Sequence, residues 1–146
     1  MIHTINAFKG EYAFLSNFYP SELKFQDYRY ASVEHAFQAF KMVTLFNHER
    51  VRKAHSPGSA KTLARSLPKR EDWDTVRNGV MLICLREKFF KSWDLGNMLL
   101  LTGDLKLVEG NTWGDTYWGV CRGKGENKLG QLLMQVRQEL KDARQN

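Results

Sequence analysis

The apolar residues of this chain alternate with polar ones at its beginning and take a helical spacing further on. Ala7-Phe8, Tyr12-Ala13-Phe14-Leu15, Leu23-Lys24-Phe25 and Tyr28-Arg29-Tyr30 alternate within the first thirty residues, punctuated by Gly10 and Pro20. Aromatic alternation of this kind predicts short strands and turns, with Ser16-Asn17-Phe18-Tyr19-Pro20 as a loop between two of them. From Ser32 the period changes. Val33, Ala36, Phe37, Phe40 and Val43 fall on one helical face, and Ser32 stands where a hydroxyl can cap the first turn. Helix is expected to resume over His48–His55, to break at Ser56-Pro57-Gly58, and to run briefly over Ser59–Arg65 before Pro68. Asp72–Phe90 carries the longest helical pattern, with Trp73, Val76, Val80, Ile83 and Cys84 inward and Asp72 or Asp74 at its start. A shorter helix is expected over Asp94–Leu101, ended by Gly103. Leu105–Glu109 and Thr116–Val120 read as strands around an irregular turn. Glu126–Lys141 reads as an amphipathic helix with Leu129, Leu132, Leu133, Val136 and Leu140 inward. The sum is an α+β fold: a mostly helical single domain, residues 1–146, packed on a small β-sheet.

Composition narrows the class. A chain of 146 residues buries roughly two thirds of its unfolded surface and needs no staples. Cys84 and Cys121 make no disulfide framework, and neither has a Cys or His neighbour at metal-ligand spacing. Met1–Asn6 lacks the charged start and apolar core of a signal peptide, and apolar stretches such as Val80–Leu85 are too short to span a membrane. The expectation is a cytoplasmic protein without metal. The formal net charge of +6 favours an anionic partner, such as a nucleotide, a sugar phosphate or a nucleic acid. The basic residues are spread along the chain, which disfavours a dedicated duplex-DNA binder.

Three groups of residues carry candidate chemistry. The helix after Ser32 brings Glu34, Gln38 and Lys41 within about 60° of one another at ~100° per residue. A carboxylate, an amide and an amine on one stripe can bind and cleave a polar small molecule; a solvated helix face with an N-terminal acid explains the same pattern. His35, between the polar and apolar sectors, reads as structural. The second group is Asn111, Trp113, Asp115, Tyr117 and Trp118 with Gly110, Gly114 and Gly119. Indole and phenol faces stack on bases, and Asp115 could act as an acid or hold a ribose hydroxyl. A tight aromatic turn built on Asn, Asp and Gly is the structural alternative. The third group, Arg122-Gly123-Lys124-Gly125-Glu126-Asn127, leads into the last helix, where free N–H groups and the helix dipole can hold an anion. It matches neither the Walker loop nor the dinucleotide fingerprint. Together the groups suit a nucleotide-like ligand with a ribose at its centre.

The stretches Ser16-Asn17-Phe18, Val33–Ala39 with Lys41, Leu107-Val108-Glu109, Asp115 with Tyr117-Trp118-Gly119, and Gly125 through Asn127-Leu129-Gly130 with Leu133-Met134 resemble, in order and spacing, the NADAR superfamily of YbiA-like N-glycosidase type. The resemblance covers roughly Phe8 to Leu140. It implies hydrolysis of an N-glycosidic bond to ribose without a metal or redox cofactor. Two substrate classes follow from it: ribosylamino-pyrimidine phosphates of the riboflavin pathway, and guanine bases of nucleic acid modified with ADP-ribose. It implies catalytic roles for Glu34, Lys41 and Asp115. Substrate contacts are expected at Asn17, Phe18, Gln38, Trp113, Tyr117, Trp118, Gly119, Lys124, Gly125 and Asn127. Gly114 and Thr116, around Asp115, stand where members of the family vary.

Cleavage of a ribose–nitrogen bond builds positive charge at the anomeric carbon, which a carboxylate such as Glu34 stabilises while it activates water. Lys41 or Asp115 could deliver the proton to the leaving nitrogen. Alternatively a ring-opened glycosylamine exchanges with a neutral Lys41 to give a Schiff base that water releases. Two non-enzymatic readings stand beside these: a nucleotide or ADP-ribose binding module, and a salt-sensitive nucleic-acid binder. The choice of N-riboside and the oligomeric state stay open at the level of sequence.

Overall fold

The computed structural model describes residues 3–146. Met1 and Ile2, part of the stretch read above for a leader, lie outside them. The α+β class holds. The strands do not join into one sheet, however. Among the described residues they form three two-stranded sheets: β1 (Thr4–Ile5) parallel to β4 (Lys106–Leu107), β2 (Leu23–Phe25) antiparallel to β3 (Tyr28–Tyr30), and β5 (Gly110–Asn111) parallel to β6 (Val120–Cys121). Backbone contacts group the chain into two compact units, Asn17–Lys88 and the combination of Met1–Ser16 with Phe89–Asn146.

In the Asn17–Lys88 unit, α1 (Val33–Phe40) packs with α2 (Leu45–Arg52) and α3 (Pro57–Arg65), and α4 (Trp73–Lys91) begins there. Serine or threonine caps the three short helices. Ser32, Thr44 and Ser56 each accept an N–H three residues on, and each such cap is worth about 1 kcal/mol. Pro57 does not merely break a helix as expected; it occupies the first turn of α3, where its missing N–H costs nothing. α1 ends at Phe40, so Val43 lies beyond it and is exposed rather than buried. Ile83 is also exposed. The covered face of α4 runs instead through Trp73, Met81, Cys84, Leu85 and Lys88. Phe25, Tyr30, Phe40 and His48 form a cluster of edge-to-face and tilted rings, and the Tyr30 hydroxyl lies 2.8 Å from His48 Nε2. Burial raises the Tyr30 pKa to about 12 and lowers that of His48, so the phenol donates to a neutral imidazole.

The other unit holds α5 (Trp93–Leu101) and α6 (Lys128–Gln145) with β1, β4, β5 and β6. Gly10–Leu15, where alternation predicted a strand, is a 3-10 helix. Its Gly10 takes φ +62°, which turns the chain out of extension. Thr116–Gly119 is irregular rather than a strand, and α6 starts at Lys128.

Candidate active site

α1 is buried on every side. Each residue from Val33 to Ala39 is buried, Glu34 and Gln38 included, at 6% and 7% exposure. This removes the solvated-face explanation for those two. Such burial of a carboxylate is costly unless its oxygens are held. Gln38 Nε2 donates to Glu34 Oε1 at 2.9 Å, one helical turn away. The Glu34 N–H donates to the Asn17 carbonyl at 3.0 Å, which ties the first turn of α1 to the loop before β2. The Asn17 amide nitrogen points at Met81 Sδ on α4, 3.6 Å away. His35 is structural. Its Nε2 faces the Ala54 carbonyl at 2.9 Å and must carry the proton, which leaves Nδ1 to accept from Ser32 Oγ at 2.8 Å.

Lys41 closes the C-terminal end of α1 and is half-buried. Its carbonyl accepts from Arg70 N at 3.0 Å, and Met42 bridges to Lys69, so the 69–70 segment lies alongside. Burial lowers the Lys41 pKa, the Lys69 and Arg65 cations lower it further, and Glu34 acts in the opposite sense. Phe18 is 44% exposed on the Asn17 loop.

The second and third groups belong to the other unit. Asp115 Oδ1 accepts two backbone N–H groups, from Tyr117 at 3.1 Å and Trp118 at 2.9 Å. Asn111 Oδ1 accepts from Asp115 N at 3.0 Å, and its Nδ2 reaches the Asp115 carbonyl at 2.9 Å. These side chains satisfy the backbone of Asp115–Trp118 in place of a strand partner. The Tyr117 and Trp118 rings meet edge to face at 5.0 Å, while Trp113 is 64% exposed. Gly119 and Gly125 are sites of close backbone approach: a Cβ on Gly125 would lie 2.1 Å from the Gly119 carbonyl oxygen.

The junction into α6 differs from the anion cradle read from sequence. Arg122 and Gly123 take φ 52° and 77°, forming a tight turn closed by Lys124 N to the Cys121 carbonyl at 3.1 Å. The N–H groups of Glu126, Asn127, Lys128 and Leu129 donate to the carbonyls of Thr116, Gly119, Tyr117 and Trp118. The donors an anion would need there are taken by the loop itself. Asn127, left-handed at φ 55°, is also engaged within the protein: its Nδ2 donates to the Leu107 carbonyl at 2.9 Å and its Oδ1 accepts from Glu109 N at 3.0 Å. Lys124 remains exposed on the turn.

Residues 6–141 match the model of the NADAR domain. The chain belongs to the NADAR family. It is 39% identical over 133 residues to the N-glycosidase YbiA of Escherichia coli strain K12, a stretch covering 89% of this chain and 82% of that protein. An N-glycosidase of Nostoc punctiforme is 37% identical, over 90% of this chain and 87% of its own length. A riboflavin biosynthesis protein of Vibrio vulnificus is also 37% identical, but the match spans only 36% of that longer protein. The NMR structure of Escherichia coli YbiA aligns with a TM-score of 0.88 at 36% identity, covering 100% of this chain and 90% of that one. This NADAR chain is accordingly an enzyme of the N-glycosyl hydrolase class.

One buried group of this NADAR unit escaped the sequence reading. Lys88, 2% exposed, lies on the covered face of α4 with its ammonium 5.6 Å from the Tyr19 ring centroid, and burial lowers its pKa to about 7. Its signal was available: Lys88 follows Met81 and Cys84 at helical spacing, on the stripe that should be apolar. Cys84 beside it is held as a neutral thiol, its pKa pushed up by burial and then by Glu34 and Glu87. No group of His, Cys, Asp and Glu side chains among the described residues is arranged to hold a metal ion. No helix among them is long and apolar enough to cross a membrane.

Proposed function

We propose that this NADAR enzyme hydrolyses the bond between ribose phosphate and the exocyclic nitrogen of ribosylamino-pyrimidine phosphates, intermediates of riboflavin synthesis. The observation that carries the reading is the burial of Glu34 on α1 with Gln38 fixed on its carboxylate and the Lys41 amine on the same helix. The relative named for riboflavin biosynthesis supports the substrate class. Free, buried Cys84 and Cys121 fit the reducing cytoplasm.

In this reading Glu34 lies against the anomeric carbon. As the C1′–N bond breaks, its negative charge stabilises the oxocarbenium-like centre, and the same carboxylate takes a proton from the attacking water. The leaving nitrogen gains a proton from Lys41, and the products are ribose 5-phosphate and the free amine. For Asp115 the family resemblance implies a catalytic role, and for Trp118 and its neighbours substrate contact.

A second substrate, guanine carrying ADP-ribose in nucleic acid, draws support from the exposed indole of Trp113 and the net charge of +6. The deciding experiment incubates the protein with each class and follows released ribose 5-phosphate or ADP-ribose by mass spectrometry. Release from the pyrimidine alone supports the proposal. Release of ADP-ribose alone transfers the activity to the nucleic-acid substrate, and binding without release from either reduces the protein to a binding module.

A further inference from the structure

Gln38 Oε1 and Asn17 Oδ1 are buried oxygens without a hydrogen-bond partner. Leaving a buried acceptor unpaired costs on the order of 1–3 kcal/mol, so both call for an explanation. Their orientation follows from their neighbours. Gln38 must turn Nε2 toward Glu34, because a carboxylate oxygen at 2.9 Å needs a donor, and this directs Oε1 away. A flipped Asn17 would set its carbonyl oxygen against the lone pairs of Met81 Sδ, where Nδ2 now lies. Both amides therefore spend a donor inside the protein and keep an acceptor in reserve. Both are tied to Glu34, Gln38 through its side chain and Asn17 through its carbonyl on the Glu34 N–H.

The groups so tied are one carboxylate and two amide carbonyls. An ionised carboxylate only accepts hydrogen bonds, and so do the two carbonyls. Such a set of acceptors repels phosphate and rewards O–H or N–H groups. A metal ion fits poorly, because the Lys41 ammonium already interacts with Glu34, and Arg65 and Lys69 add further positive charge around it.

We propose that Gln38 Oε1 and Asn17 Oδ1 form the subsite that accepts hydrogen bonds from the vicinal 2′- and 3′-hydroxyls of the substrate's ribose. This rests on the N-glycosidase reading and adds to it which atoms recognise the sugar and what they exclude. Gln38 stands one helical turn from Glu34, with Cβ atoms about 5–6 Å apart in that geometry. A ribose with C1′ at Glu34 has its 2′-hydroxyl on the next carbon, within reach of the neighbouring amide. Two hydroxyls on adjacent carbons match two acceptors. A site that hydrogen-bonds a hydroxyl rejects the analogue lacking it strongly, because its own polar groups are then left unpaired.

The test is calorimetric titration of ribose 5-phosphate and 2-deoxyribose 5-phosphate into the whole protein and into its Gln38→Met and Asn17→Leu variants. The two sugars carry the same phosphate, so only the hydroxyl differs. The natural protein should bind ribose 5-phosphate at least about tenfold more tightly, in line with one lost polar contact. In Gln38→Met that ratio should fall toward one. A purely structural loss would weaken both sugars alike and leave the ratio unchanged. Equal affinity of the natural protein for the two sugars, no binding of either, or a ratio unaltered in both variants overturns the subsite. Cleavage of the ribosylamino-pyrimidine is measured in parallel. Absence of cleavage with the sugar preference intact overturns the substrate reading and leaves the diol subsite standing.

Discussion

Gln38 holds one oxygen of the buried Glu34 carboxylate at 2.9 Å from the next turn of the same helix. An amide at this position orients the acid and adds no charge of its own; in the proposed reaction the carboxylate faces the cation that forms. Glu34→Gln removes the charge and keeps the shape. Its kcat should fall by roughly 10²–10³-fold or more, the scale for loss of one preorganised electrostatic group. Circular dichroism and the melting temperature should stay close to those of the natural protein. Turnover at the natural rate would remove Glu34 from the chemistry.

Lys41 discriminates two mechanisms by the slope of its pH profile. Burial, Lys69 and Arg65 lower its pKa, so its titration falls below that of an ordinary lysine. As proton donor Lys41 must be charged, and kcat should decline as pH rises through that pKa. As Schiff-base nucleophile it must be neutral, and kcat would climb over the same range. The expected result is a declining limb, absent in Lys41→Arg, with no adduct after borohydride during turnover. A rising limb together with a reduced adduct on Lys41 would assign the amine to covalent catalysis.

Asp115 anchors a loop whatever else it does. Its Oδ1 receives the N–H groups of Tyr117 and Trp118, and those residues in turn cap α6 with their carbonyls. Asp115→Ala should cost about 1–3 kcal/mol in chemical denaturation, the penalty for stranded backbone donors. Asparagine keeps an acceptor at the same place, and Asp115→Asn should unfold within about 0.5 kcal/mol of the natural protein, because only the charge is lost. The activity of that variant then reads the carboxylate alone. A fall as steep as that of Glu34→Gln would give Asp115 the acid role that the family resemblance implies.

The sequence disclosed what local chemistry decides. Ser32 announced the start of α1, and the helix forms behind its hydroxyl. Tertiary cover was hidden. Seen alone, Glu34, Gln38 and Lys41 could equally be a wet stripe, and only tertiary packing shows that the first two are buried. The same limit explains the expectation of buried positions at Val43 and Ile83, which have the right residue type and the wrong surroundings. The strand expected over Thr116–Val120 failed for a different reason. Asn111 and Asp115 side chains compete for the backbone there and win, as these residue types do in turns. The glycine-rich basic loop looked open to an anion because sequence does not show that neighbouring carbonyls take its N–H groups.

The burial of Lys88 on α4 can be measured through its effect on stability. An ordinary lysine titrates near 10.4, whereas burial brings Lys88 to about 7 in the folded protein. Below about pH 7 folded and unfolded chains both carry the proton, and Lys88 contributes no slope. Between about 7 and 10 the unfolded chain binds a proton that the folded one has released, so stability rises with pH. The limit is about 1.4 kcal/mol per pH unit. Lys88→Met fills the same length with no titrating group. Urea denaturation at pH 7.5 and pH 9.5 should show the natural protein gaining on the variant by on the order of 2 kcal/mol across that interval. Parallel behaviour of the two proteins would mean that Lys88 keeps its proton when folded, held by charge or hydrogen bonds strong enough to offset its burial.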